Sequence, residues 1–205
     1  MQWEAVAINA DFWSQVLQSQ SLKPLDFALG AAMVIRRKQL EEIGGFKTLV
    51  DCLADDYQLG NRIARKGYRI ALCPVVVECL DPPMTWRAVW KHQLRWARTI
   101  RVCQPMPYFL SILSNPTLWP LAWLTAHPAK TSLIFMVVAL LARIVAAANL
   151  QARLTGARTP WPFCWFAPIK DFLQAVIWFC AFAGNRIEWR ARQFRLRRDG
   201  TLIKE

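Results

Sequence analysis

The chain has 205 residues, 55% of them hydrophobic and eleven of them tryptophan, and it carries a formal net charge of +12. One ordinary domain fits that length, but the apolar fraction exceeds what a water-soluble domain usually carries, so a membrane is the natural second solvent. Nucleic acid is set aside as a partner: the basic residues lie beside apolar runs, not in a soluble stripe interleaved with stacking aromatics.

In chain order, residues 1–25 mix Trp3, Phe12, Trp13, Val16 and Leu17 with polar residues at helical spacing, and Pro24 closes this amphipathic helix. Met1-Gln2-Trp3-Glu4-Ala5 lacks a basic region leading an apolar one, so no signal peptide is visible. Residues 26–36, with the core Phe27 to Ile35, read as a short buried strand holding Gly30. A short helix over Lys38 to Ile43 stops at Gly44-Gly45. A second helix over Asp56 to Lys66 stops at Gly67, and Tyr68 to Cys79 is a β-rich run of the parallel-sheet kind. Alternating strand and helix predicts an α/β layer.

From Thr85 the pattern changes. Trp86, Trp90, Leu94, Ala97 and Ile100 form one helical stripe and Arg87, Lys91, Arg95, Arg98 and Arg101 its neighbour, as in a helix lying on a membrane surface. Pro105 and Pro107 end it. Tyr108 to Ala126 is apolar but broken by Asn115, Pro116 and Pro120, so it reads as a kinked span or interfacial hairpin. Thr131 to Leu150 has the length to cross the hydrocarbon, with Arg143 its one costly member. Phe163 to Gly184 is divided by Lys170-Asp171, which leaves full spanning open.

No acidic residue occurs from Pro82 through Lys170, and the tail from Arg186 to Glu205 is strongly basic, which places it in the cytoplasm by the positive-inside tendency. Three full spans after a cytoplasmic domain would instead put that tail outside. The favoured resolution is that one of the two irregular segments is re-entrant or interfacial. The six cysteines have no metal-ligand spacing and fit a reduced, cytoplasm-facing setting. His127, beside Pro128, reads as a residue of the membrane edge.

Two short patterns carry chemistry. Asp55-Asp56 stands at a helix start, where a carboxylate can take a hydroxyl proton, although adjacent acids there also arise as a cap and a dipole-favouring charge. About thirty-six residues further on come His92-Gln93-Leu94-Arg95-Trp96, whose Arg-Trp pair alone would equally serve as an interface anchor.

This order of acidic pair, Arg-Trp and apolar segments resembles the C-terminal half of inverting ceramide glucosyltransferase-like enzymes, closest to the hopanoid-biosynthesis-associated glycosyltransferases. The resemblance covers essentially the whole chain. It implies the C-terminal part of a GT-A-type α/β domain followed by interfacial and transmembrane helices. The acceptor side of that domain would occupy residues 1–84, the interfacial helix 85–107, the membrane segments 108–185 and the basic tail 186–205. It implies that Asp56 is the catalytic base with Asp55 in support, and that Arg95 meets donor phosphate while Trp96 packs the acceptor. Gly30, before the Ile43-Gly44-Gly45-Phe46 turn, would border the acceptor channel, or merely allow close packing. The family's Gln/Arg-x-x-Arg-Trp signature has Gln or Arg where this chain has His92.

The family's nucleotide-sugar donor is held by an earlier half, with an acidic motif for a divalent cation, Mg or Mn, on the diphosphate. No Asp-x-Asp occurs in this sequence, so metal ligands are expected elsewhere and the isolated chain is expected to be inactive. The acceptor implied is a lipid hydroxyl, hopanoid or ceramide-like, reached from the cytoplasmic face of a multi-pass inner-membrane protein. A non-catalytic membrane-binding module and a fragment of a processive polysaccharide synthase remain the alternatives.

Overall fold

The computed structural model describes residues 7–78, 84–156, 165–189, 192–197 and 199–204. Expectations resting on Trp3, Cys79, Arg158, Cys164, Arg190, Arg198 and Glu205 fall outside these residues.

The described chain is mainly helical. A π-helical turn, Ala7–Phe12, runs into α1, Trp13–Leu22. Then come α2, Arg37–Glu42, and α3, Asp55–Arg65, with both acids in the first turn of α3 and Arg62 and Arg65 in its last, as the helix dipole favours. Gly44, Gly45 and Gly67 all adopt positive φ where the two helices end. The long amphipathic helix α4, Trp86–Cys103, starts at Thr85, whose hydroxyl accepts from the Ala88 amide at 3.3 Å. Pro105 does not simply end the helical region: it opens a further short helix, α5, Pro105–Leu110, where its missing N–H costs nothing.

Next are α6, Leu118–Ala126, the 26-residue α7, Lys130–Thr155, and α8, Phe166–Phe182. Asn115 caps α6 by accepting from the Leu118 amide at 2.9 Å. Over residues 108–126 the chain is broken into the end of α5, a 3-10 turn at Ser111–Ser114 and α6, with the break at Asn115 and Pro116. Among the described residues only α7 is long and apolar enough to cross a membrane; α6 has nine residues and α8 seventeen. A multi-pass chain is not supported. The outward face of α7 is apolar, with Ile134, Val138 and Val145 each more than half exposed.

Two predicted strands are absent. Phe27 to Ile35 and Tyr68 to Glu78 form no sheet; the first contains a turn at Gly30, and in the second Val75, Val76 and Val77 are exposed. A parallel strand needs neighbours, and the described residues offer these runs none.

The sheet lies instead in the basic tail. β1, Arg186–Trp189, β2, Arg192–Leu196, and β3, Leu202–Lys204, form an antiparallel meander in the order β1-β2-β3. An Asp-Gly turn joins β2 to β3: Asp199 Oδ1 accepts from the Thr201 amide and hydroxyl, and Gly200 has φ of 85°. The tail is therefore a folded element, and it returns to the region before α3. Thr201 bridges to Cys52, the Leu202 amide donates to the Asp51 carbonyl at 2.8 Å, and Gln58 on α3 reaches the Asp199 carbonyl. Chain before α7 and chain after it thus pack against each other.

Two buried clusters hold the helices. Ala97, Tyr108, Ile177 and Ala181 join α4, α5 and α8, with Trp90, Leu94, Leu173 and Trp178 against them. Ala10, Ala147 and Ala167 let the N-terminal turn, α7 and α8 approach closely.

Candidate active site

Asp55 and Asp56 differ although adjacent. Asp55 is exposed and its Oδ1 accepts from the Asp56 amide at 3.0 Å, while Asp56 is half-buried and its Oδ1 accepts from the Tyr57 amide at 2.7 Å. Burial raises the Asp56 pKa above the usual carboxylate range; amide donors, Tyr57 first and Gly30 after it, pull the other way, and the charge of Asp55 adds to the rise. The result is a carboxylate more basic than a solvated one, as suits proton abstraction.

Gly30 touches this carboxylate. A Cβ on Gly30 would sit 2.8 Å from Asp56 Oδ2 and 3.3 Å from its Cγ. The reason is one turn further along α3. Gly60 lies on the same helix face as Asp56, four residues on, and has no side chain to hold the chain off. A Cβ there would stand 2.1 Å from the Ala28 amide nitrogen and 2.5 Å from the Phe27 carbonyl carbon. Phe27 to Gly30 therefore lies flat on α3, and its last residue reaches the carboxylate. Gly60 escaped the sequence reading; a glycine inside an otherwise good helix was the signal available.

Tyr57 ties α3 to the end of α4, its hydroxyl donating to the Cys103 carbonyl at 2.9 Å and accepting from Gln104 at 3.1 Å. Burial pushes the Cys103 thiol up to about 12, with Asp56 the next contributor, so this thiol is no nucleophile. Further along the same face of α4 lies an aromatic set. His92 and Trp96 meet edge to face at 4.7 Å, and Phe12 packs against Trp96 at 6.1 Å. Trp96 and Cys103 are two helical turns apart, about 10 Å along the axis.

Arg95 does not join that face. It lines a cleft of about 340 Å³ between α4 and the first two strands, with Lys91, Arg98, Arg186 and Glu188. Lys91 pairs with Glu188 at 2.5 Å, and Arg98 donates to the Arg186 carbonyl. Burial alone lowers the Arg95 pKa, and for Arg98 burial acts together with the charge of Arg101. The structure thus joins Asp56 with Gly30 and His92 with Trp96, and turns Arg95 toward a basic cleft.

For a metal the residues are a poor fit. Among the described residues no three of His, Cys, Asp and Glu converge, and each of Asp55 and Asp56 already accepts a backbone amide.

A second charged group is buried in the helical bundle. Arg143 on α7 bonds Asp171 Oδ1 at 2.8 Å and Asp11 Oδ1 at 2.5 Å, and Lys170 pairs with Asp11 Oδ2. The Thr117 hydroxyl donates to Asp171 Oδ2 at 2.6 Å. Two cations and two carboxylates cancel, which resolves the cost of Arg143 and explains Lys170-Asp171 inside an apolar segment.

Comparison with known proteins gives this geometry a context. The chain is 35% identical over 69 residues to the probable glycosyltransferase YdaM of Bacillus subtilis (strain 168), a match covering 34% of this chain and 16% of that protein. The chain thus spans about a sixth of its relative's length. No solved structure matches. Residues 2–202 match Glycosyl transferase family 21, the ceramide glucosyltransferase-like family, and the chain belongs to it.

Proposed function

We propose that the chain is the acceptor-binding and base-bearing part of an inverting GT-A-type glycosyltransferase, which passes a sugar from a nucleotide-sugar donor to a lipid hydroxyl. Asp56 takes the hydroxyl proton as that oxygen attacks the anomeric carbon, and Asp55 supports the helix start and the cleft charge. Trp96, with His92 and Phe12, packs the acceptor. Arg95 draws donor phosphate toward the basic cleft. The single observation that carries this reading is the half-buried Asp56 carboxylate of raised pKa, held against Gly30 at a helix N-terminus in a chain of this family.

A nucleotide-binding half would supply the uracil contact and the divalent cation, Mg or Mn. The exposed, unpaired run Val75 to Val77 and the exposed Val34 are surfaces that such a half would cover. The acceptor is a bilayer lipid, with a hopanoid polyol preferred to ceramide, and the protein sits in the inner membrane with Asp56 on the cytoplasmic side. The outward apolar face of α7 supports membrane residence.

The test is transfer of labelled sugar from UDP-glucose or UDP-N-acetylglucosamine to extracted lipid, by membranes holding the chain with and without a family nucleotide-binding half. Lipid-linked label only when both are present is expected. Micromolar binding of either donor by the chain alone, measured by calorimetry in detergent, would overturn the division of labour.

A further inference from the structure

The turn between β2 and β3 reaches the chain that leads into Asp56. Its Asp199 Oδ1 accepts from the Thr201 amide at 3.0 Å and the Thr201 hydroxyl at 2.6 Å, which shapes the turn. Gly200 is buried there, and a Cβ on it would stand 3.0 Å from Gln58 Nε2 on α3 and 4.0 Å from Cys103 Sγ at the end of α4. Thr201 bridges to Cys52 and is flanked by two backbone bonds, from the Leu202 amide to the Asp51 carbonyl at 2.8 Å and from the Leu53 amide to the Gly200 carbonyl at 3.4 Å. Asp51 to Leu53 runs directly into α3. That helix has no side-chain cap of its own, because alanine occupies the capping position, Ala54. The direction in which the chain enters α3, and so the place of Asp56 in its first turn, is left to contacts from outside the helix.

We propose that the Asp199-Gly200-Thr201 turn is a positioning element of the transferase site, holding Asp51 to Leu53 so that α3 presents the Asp56 carboxylate to the acceptor. The other end of the same meander is tied to α4. Arg101 donates to the Asn185 side chain and to the Gly184 carbonyl, Arg98 donates to the Arg186 carbonyl, and Lys91 pairs with Glu188. A strap of three strands therefore joins the helix that carries Trp96 to the helix that carries Asp56. Those two helices also meet directly through Tyr57. One contact lets α3 pivot, whereas a second one, on the loop before it, fixes its direction. Reacting groups need that precision, since a misplacement of about 1 Å costs roughly a hundredfold in rate. The inference rests on the reading of Asp56 as the base.

The experiment compares two variants of Asp199. Asp199→Ala removes both bonds that shape the turn, and Asp199→Asn keeps an accepting oxygen in place while removing the charge. Hydrogen–deuterium exchange of the intact chain in detergent reads the helix start directly. The peptide covering residues 51–58 should exchange about fivefold faster in Asp199→Ala, the scale of one ordinary hydrogen bond, and at the parent rate in Asp199→Asn. In membranes holding the chain together with a family nucleotide-binding half, Asp199→Ala should lower the rate per folded protein about five- to tenfold, with half-saturating donor and lipid concentrations within about twofold of the parent. Its rate should also climb with pH from a lower midpoint, because a loosened helix start lets water reach Asp56 and relieves the burial that raises its pKa. Asp55 beside it and Cys103 on α4 bear on Asp56 in every variant, and Phe27 to Gly30 brings no titratable side chain. Should Asp199→Ala fail to fold, Thr201→Val, which removes the hydroxyl bond alone, carries the same comparison. Unchanged exchange over 51–58 would overturn the inference, as would faster exchange with the parent's rate per folded protein and pH midpoint, or an Asp199→Asn variant as impaired as Asp199→Ala. Asp56→Asn measured alongside separates the two readings. If it loses rate while Asp199→Ala does not, only the positioning role fails; if it is silent, the base assignment fails and the positioning role with it.

Discussion

Gly30→Ala asks whether the position of the Asp56 carboxylate matters, without altering any titratable group. Gly30 has no positive φ, so alanine meets no backbone penalty there. Its methyl carbon would stand 2.8 Å from Asp56 Oδ2, where ordinary contact begins near 3.4 Å, so the carboxylate must retreat by roughly half an ångström or more. Asp56 is free to turn only by stretching its bond from the Tyr57 amide, now 2.7 Å. A misplacement of about 1 Å at a reacting group costs roughly a hundredfold, so a loss of about ten- to a hundredfold in rate is expected. Stability should change by less than about 1 kcal/mol, since the site is exposed on Gly30's side and only a side-chain end moves. The assay is initial rate against donor and lipid concentration in membranes holding the chain together with a family nucleotide-binding half, at matched protein level, with thermal unfolding alongside. A variant that keeps the parent rate would refute the claim that Asp56 acts from the position seen here. A variant that unfolds would refute the claim that Gly30 is functional more than structural.

Gly60→Ala should behave in the opposite way: backbone atoms of Phe27 and Ala28 block the new methyl, so a loss of about 1–3 kcal/mol is expected in thermal unfolding, with a fall in activity only in proportion to folded protein. Arg143→Ala leaves two buried carboxylates short of a partner and should cost about 3–5 kcal/mol in a detergent unfolding titration; a silent variant would show that the buried ion group contributes nothing. Trp96→Ala should raise the lipid concentration needed for half-maximal rate several-fold while leaving donor dependence alone; the reverse pattern in the same two titrations would detach Trp96 from the acceptor. The rate of the parent should climb with pH through an apparent pKa above the ordinary carboxylate range, because burial holds Asp56 protonated longer than in water. The same shift makes Asp56 favour the folded state most below its unfolded pKa, with that contribution lost as pH rises through the folded pKa. Asp56→Asn should therefore be neutral or stabilising at pH 7 in thermal unfolding.

Helix positions were largely legible in the sequence because their signals are local. Gly44-Gly45, Gly67, Thr85 and the Trp–Arg stripe of α4 each act within a turn or two, and each marks an observed boundary or face. Strands were misread because a strand is defined by a neighbour. Val75 to Val77 has strand composition but no partner among the described residues, whereas Arg186 to Lys204 looked like a charged tail although Phe194 and Leu196 alternate before an Asp-Gly turn and pair with Ile187 and Leu202. In the candidate site, the adjacency of Asp56 and Gly30 was beyond reach, because it depends on Gly60 admitting a backbone from thirty residues away. Arg143 was recognised as costly, but Asp11 and Lys170-Asp171 lie in other segments, and only the packing of three helical elements joins them. The Arg-Trp motif joined two residues by sequence that helix geometry turns to different flanks, about 100° apart.

The central claim is that Asp56, and not Asp55, accepts the proton. Initial rates of Asp56→Asn and Asp55→Asn, measured side by side with donor affinity in the chain joined to its nucleotide-binding half, test it most directly. Asp56→Asn should lose about 10²- to 10⁴-fold in rate with donor affinity within a few-fold of the parent, and Asp55→Asn should lose far less, on the scale of about 1 kcal/mol. Abolition by Asp55→Asn with Asp56→Asn near the parent would contradict the assignment, and two nearly silent variants would reduce the acidic pair to a helix start.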